Sequence, residues 1–142
     1  MMAYGPSARG GTMATQVLPS DPVRMIMRSP VATADTAVTL REAAEQLASD
    51  EIGALLVIGE GTLGILSERD VIAAVAGGGD LDLIQAGDAL NPEVVWGDPQ
   101  LSVQRAGQLM LDSGIRHLPI GDGRLAVGMI SMRDVLGVMV AG

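Results

Sequence analysis

From Asp21 onward the apolar positions fall into a regular order, while residues 1 to about 20 (MMAYGPSARGGTMATQVLPS) show no periodicity and read as a flexible tail. Leu40, Ala43, Ala44, Leu47 and Ala48 recur at the spacing of one buried helix face. Val103, Ala106, Gly107, Met110 and Leu111 repeat that spacing further along. Each helix is followed by two short apolar runs that read as strands: Leu55 to Ile58 and Leu63 to Leu66, then Leu118 to Ile120 and Ala126 to Ile130. Gly59-Glu60-Gly61 and Gly121-Asp122-Gly123 separate the runs and have the residue types of hairpin turns. Two closing helices follow, Glu68 to Ala76 and Met132 to Val140, the first halted by Gly77-Gly78-Gly79. Ahead of each first helix, an extended segment follows a proline, Val31 to Thr33 and Val94 to Trp96.

These two series are copies of one pattern. Val38-Thr39-Leu40-Arg41-Glu42-Ala43-Ala44 aligns with Leu101-Ser102-Val103-Gln104-Arg105-Ala106-Gly107. Gly64-Ile65-Leu66-Ser67-Glu68-Arg69-Asp70-Val71-Ile72 aligns with Gly128-Met129-Ile130-Ser131-Met132-Arg133-Asp134-Val135-Leu136, and the lead-ins Met27-Arg28-Ser29-Pro30 and Leu90-Asn91-Pro92 also agree. The expected fold class is α/β (α+β): two β-α-β-β-α units, over 21–79 and 80–142. One unit of roughly 50 residues cannot bury both faces of its sheet, so the two must pack together.

Composition removes several functions. The 142 residues carry 17 acidic and nine basic side chains, a formal charge of −8, which opposes nucleic acid and acidic membrane partners. Phe is absent, and Trp96 and Tyr4 are the only large aromatics, so no stacking platform for single-stranded nucleic acid is available. Without Cys and with one His, thiolate chemistry and metal sites needing two imidazoles are excluded. No apolar run reaches the roughly 18 residues of a membrane helix, and no signal-peptide pattern opens the chain, which reads as soluble and cytoplasmic. All nine basic residues are Arg, a planar fork suited to carboxylate or phosphate.

The candidate chemistry lies in Gly-x-x-Ser-x-x-Asp, present as Gly64, Ser67, Asp70 and again as Gly128, Ser131, Asp134. Ser followed three residues later by Asp is also a helix capping box, and Thr39 with Glu42 forms another at the first helix. The same geometry suits a ligand: free backbone N–H groups face a phosphate, and a first-turn Asp can accept both hydroxyls of a ribose. Both readings stand on the pattern alone.

The doubled motif, the β-α-β-β-α order and the Met27-x-x-Pro30 lead-in resemble a tandem cystathionine-β-synthase (CBS) domain pair, the Bateman module, over about residues 22 to 140. The resemblance implies pseudo-twofold packing with two nucleotide clefts and no catalysis. One cleft would use Ser67, Arg69 and Asp70 with Val94, Val95, Ile115, Arg116, His117 and Pro119. The other would use Ser131, Arg133 and Asp134 with Ala32, Thr33, Ile52, Gly53 and Ala54. Asp70 and Asp134 would hold ribose, and the small apolar residues would sandwich adenine. Arg116 and His117 make the first cleft the expected phosphate binder, although His117 also suits a structural role and Arg69 and Arg133 also suit a solvated helix face. The acidic balance favours AMP over ADP or ATP, with an adenosyl sulfonium as a further possibility.

The resemblance also implies a homodimer through the closing helices, for which Ala74, Val138 and Val140 are the apolar residues left over from sheet packing. Met110, Met129, Met132 and Met139 read as core filler. The expected function is a small stand-alone regulatory module that binds an adenine nucleotide and signals to an unknown protein target. The alternative is a purely structural dimerisation module with empty clefts. No nucleophile–base pair or metal-ligand cluster is visible that would make it an enzyme.

Overall fold

The computed structural model describes residues 16–141. Residues 1–15, which hold most of the expected tail, lie outside this range. The rest of that segment is docked: Val17 packs on the second core and the Pro19 carbonyl accepts the N–H of Gln104 at 2.9 Å.

The first repeat contains β1 (Thr33–Asp35), α1 (Leu40–Asp50), β2 (Ala54–Gly59), β3 (Thr62–Ser67) and α2 (Glu68–Ala76). After a short helix α3 (Ala86–Ala89), the second contains α4 (Val103–Ser113), β4 (His117–Gly121), β5 (Ala126–Ser131) and α5 (Met132–Ala141). Thr39 caps α1 in a reciprocal box with Glu42, and Ser102 caps α4 by accepting the N–H of Arg105. Glu60 and Gly61, both at positive φ, make the two-residue turn between β2 and β3. The second hairpin is longer, and its Asp122 carboxylate accepts the N–H groups of Leu125 and Arg124, which hold it below the usual carboxylate range.

The two sheets differ. β1 pairs with β2 in parallel and β2 with β3 antiparallel, giving three strands, whereas β4 and β5 stand as a pair. The extended segment expected at Val94 to Trp96 is not a strand; a single bridge joins Gly97 to Ile120. Pro119 explains this. In the first repeat Leu56 donates its N–H to Ala32 and holds the parallel neighbour (3.0 Å). The residue at the matching place in β4 is Pro119, which has no N–H to give. The first strand itself begins at Thr33, two residues later than the pattern suggests.

Each repeat has its own apolar core between sheet and helices. Leu40, Ala43, Leu47, Leu55, Val57, Leu66 and Val71 fill the first. Val103, Ala106, Met110, Leu118, Ile120, Ile130, Val135 and Val138 fill the second. β2 is buried on both faces because Ala54 and Leu56 point away from α1 and form a third cluster with Met129 of β5, packed around by Val31, Ile65 and Trp96. That cluster joins the sheets.

The lead-ins are exchanged between repeats. Val23, at the head of the first repeat, is fully buried in the core of the second, and Ala86 is fully buried in the core of the first. Val23 donates to the Leu101 carbonyl and Ala86 to the Val38 carbonyl, each at 2.7 Å. Arg28 then bonds reciprocally with Met129 of β5 (2.9 and 3.1 Å), and Asn91 with Ile65 of β3 (3.0 and 2.8 Å). The incoming chain is so close that a Cβ on Gly64 would stand 2.7 Å from the Asn91 carbonyl oxygen. At Gly128 the Met27 side chain fills the same space, with the Arg28 carbonyl oxygen 3.0 Å away.

Val23→Ala is therefore expected to cost about 1.5–3 kcal/mol in urea unfolding. Hydrogen exchange should report the loss in α4 and α5 rather than in α1 and α2, although Val23 precedes the first repeat in sequence. Loosening of α1 and α2 alone would contradict the exchange of lead-ins.

Candidate functional site

Ser67 and Ser131 end β3 and β5, and the next residue begins a helix. In both, the Ser hydroxyl oxygen accepts the Asp N–H (3.3 Å from Asp70, 3.1 Å from Asp134) and the Asp Oδ2 accepts the Ser N–H (2.8 and 2.9 Å). The capping reading of the doubled motif is thus realised in each copy. A difference follows. The Ser67 hydroxyl also donates to Asp70 Oδ2 at 3.0 Å, whereas among the described residues the Ser131 hydroxyl has no acceptor. Ser131 therefore keeps a free donor, and Asp134, like Asp70, keeps Oδ1 as a free acceptor.

These two groups stand on an open cleft of about 1420 Å³ between the repeats. That exceeds the roughly 300–1,000 Å³ of a typical small-molecule pocket and leaves room for a nucleotide. Ser131, Met132, Arg133 and Asp134 form one wall; Ala32, Ile52, Gly53 and Ala54 form the opposite one. Of the residues the resemblance assigns to this cleft, only Thr33 is absent from the lining; it is exposed on β1. Arg133 is exposed, and Ser131 and Asp134 are half-buried.

Arg116 and His117 line this same cleft rather than facing Ser67 across the other, which corrects the expectation that the Ser67 cleft has the better phosphate ligands. The physical reason is β4's register. His117 is the direct antiparallel partner of Ser131, and the Arg116 carbonyl accepts the Met132 N–H at 2.8 Å, so both residues flank the start of α5. Four other residues assigned to the Ser67 cleft have structural placements. Val95 and Ile115 pack on the second core, Pro119 is fully buried inside β4, and Val94 is half-buried beside them. Ser67 and Asp70 remain together at the start of α2 with Arg69 exposed next to them.

The cleft also holds residues the pattern did not single out: Met27 and Arg28 from the exchanged lead-in, Asp50 and Glu51 from the end of α1, and Glu68 from α2. The lead-in had been visible as part of the repeat, but nothing in its composition says that it crosses to the other sheet. Arg28, Arg116 and Arg133 are thus balanced by Asp50, Glu51, Glu68 and Asp134. Glu51 takes a left-handed conformation (φ 55°) where the second repeat has Gly114 (φ 68°). His117 lies against Gly53, where an added Cβ would meet its Nε2 at 2.5 Å. Burial pushes the imidazole below its usual pKa, against the pull of Glu68 and Asp134, while Arg116 pushes the same way as burial.

Among the described residues no group of three or more His, Asp or Glu side chains could hold a metal ion, and no helix is long and apolar enough to cross a membrane.

The outward faces of the closing helices also differ from expectation. Val138 is buried in the second core and Ala74 packs on the first, because both lie on the sheet side of their helices. Val140 is exposed as expected, and Ile72, Val75, Leu136 and Met139 join it in the solvent. Of the four methionines read as core filler, Met110 and Met129 are buried and Met132 packs on the second core, while Met139 does not contribute.

The model for the CBS domain matches twice, over residues 23–77 and 86–141. The chain belongs to the CBS-domain family. It is 32% identical over 114 residues to the CBS domain-containing protein YhcV of Bacillus subtilis, covering 80% of this chain and 81% of that one. The crystal structure of the CBS-domain protein ATU1752 from Agrobacterium tumefaciens matches with a TM-score of 0.72 at 31% identity, over 83% of this chain and 98% of the other. A CBS pair of protein MJ0100, solved with 5′-methylthioadenosine and S-adenosyl-L-methionine, has a TM-score of 0.77 at 24% identity, over 87% of this chain and 98% of its own.

Two stability measurements test this geometry. Because His117 is held below its ordinary pKa, the unfolded chain takes up a proton before the folded one, so the histidine withdraws stability as pH falls below about 6.5. The difference in urea midpoint between wild type and His117→Asn should therefore shift toward the variant between pH 7.5 and pH 5.5. Glu51→Gly should raise stability by about 0.5–1 kcal/mol, the strain of a left-handed Glu less the added freedom of glycine.

Proposed function

We propose that this CBS pair is a regulatory module that binds an adenosyl compound in the cleft of Ser131, Arg133 and Asp134, with AMP ahead of ADP and ATP. One observation carries the proposal: the unused donor of Ser131 and acceptor of Asp134 face small residues from the other repeat across a cleft that can hold a nucleotide. Asp134 Oδ1 would accept ribose hydroxyls. The Ser131 hydroxyl and the start of α5 would meet the phosphate with Arg116 and Arg133. Ala32, Ile52, Gly53 and Ala54 would enclose adenine. The charge balance of the cleft favours few phosphates, since each added phosphate meets Asp50, Glu51 and Glu68 as well as the arginines. The adenosyl compounds in the like-folded MJ0100 pair support the ligand class.

The motif at Ser67, Arg69 and Asp70 serves in this reading first as a helix cap and second as a weaker site. Its output would pass through assembly. Ile72 and Val75 on α2, with Leu136, Met139 and Val140 on α5, leave an apolar face suited to a second copy or a protein target. That face is also the observation that favours the alternative, an interaction module without a ligand.

Calorimetric titration with AMP, ATP and S-adenosylmethionine at about 0.1 mM protein detects a Kd of that order, roughly −5.5 kcal/mol. Asp134→Ala should abolish the binding, while Asp70→Ala, which loses an equivalent cap, should retain it. No heat from any of the compounds, with a dimer in sedimentation, would overturn the ligand reading in favour of the interaction module. Loss of binding in Asp70→Ala alone would move the site to the other cleft.

A further inference from the structure

We propose that His117 makes the Ser131 cleft a proton-linked selector, favouring phosphorylated adenosyl ligands over uncharged ones as pH falls. The inference rests on the adenosyl site proposed above and concerns how that site is regulated.

His117 is the single histidine of the chain, and the first repeat has Ala54 at its place. Its imidazole crosses the join between the repeats. Nε2 lies so near Gly53 that no side chain fits there, and Gly53 is in turn fixed to α2 because its carbonyl accepts the Glu68 N–H at 2.9 Å. The ring therefore has one wall of main chain and one open side, toward the cleft it lines. On its own strand the following residues, Leu118, Pro119 and Ile120, are buried and uncharged. Charged groups reach it from the other elements: Glu68 from the start of α2, Asp134 from the start of α5, and Arg116 from the residue before it. Arg28, Arg133, Asp50 and Glu51 complete the charged lining of the cleft.

In the empty cleft burial outweighs the two carboxylates and holds the imidazole below its ordinary pKa. A ligand phosphate brings negative charge into that partly desolvated space and favours the imidazolium. Binding then takes up a proton, and by linkage a lower pH strengthens binding. An uncharged adenosyl compound fills the same volume without that charge, buries the open side of the ring further and so gives the imidazolium no support.

The test is calorimetric titration of wild type and His117→Asn with AMP and with adenosine, each at pH 7.5 and pH 5.8. The phosphate of free AMP titrates identically in both titrations and cancels, so the ratio of wild-type to variant affinity isolates the effect of the histidine. For AMP that ratio should rise about threefold or more between the two pH values, within the tenfold that one unit of pKa displacement allows. For adenosine it should stay flat or fall. A flat ratio for AMP, with both ligands bound, overturns the selector and leaves the adenosyl site standing. Failure of both ligands to bind wild type overturns the site and the selector together. Should His117→Asn not fold, the imidazole proton resonances of wild type give the answer alone, since a single histidine needs no assignment. Saturation with AMP should raise the pH midpoint of those resonances and saturation with adenosine should not; an unmoved midpoint with AMP overturns the inference.

Discussion

The reciprocal backbone bonds between each lead-in and the other repeat's sheet set the architecture. β3 and β5 would each present a row of unpaired main-chain groups, an arrangement that folded proteins cover. Here Asn91 bonds with Ile65 and Arg28 with Met129, and each bond brings chain from one repeat to the edge of the other. The exchange requires glycine at 64, where the crossing main chain occupies the space of a Cβ, and at 128 the Met27 side chain fills that space with the Arg28 carbonyl close behind. It also fixes the cleft: Met27 and Arg28 form part of its wall because the bond to Met129 holds the main chain there.

A capping box and a ligand site are not competing uses of Ser131 and Asp134. Capping consumes one oxygen of the carboxylate and the acceptor side of the hydroxyl, and it orients the groups that remain. The copy at Ser67 differs by one contact. There the hydroxyl oxygen lies within hydrogen-bonding distance of Asp70 Oδ2, and the pair is more nearly closed on itself. A ligand held by the groups that capping leaves over would not disturb the helix start.

Most of the fold was legible because it is set locally. Helix periodicity, the Thr39–Glu42 box and the Gly-containing turns each act over a few residues, and the helices expected at 68–76 and 132–140 end within one residue of their observed limits. The repeat then placed the Ser and Asp pairs at helix starts. What the pattern could not show is set across the repeat. Pro119 is apolar like its counterpart Leu56, so the pattern treats the two alike; only the missing N–H separates them. Arg116 and His117 follow their strand's register to the Ser131 side, and register is invisible until the partner strand is known. Ala74 and Val138 fall to the sheet side by a rotation of their helices too small for the spacing of apolar residues to settle.

Trp96 takes the place of a strand residue that Pro119 left unpaired, and it packs into the cluster that joins the two sheets. As the lone tryptophan of the chain it turns that seam into an optical gauge. Any event that shears one repeat against the other changes the surroundings of the indole, so its emission reads the relative position of the halves without an added label.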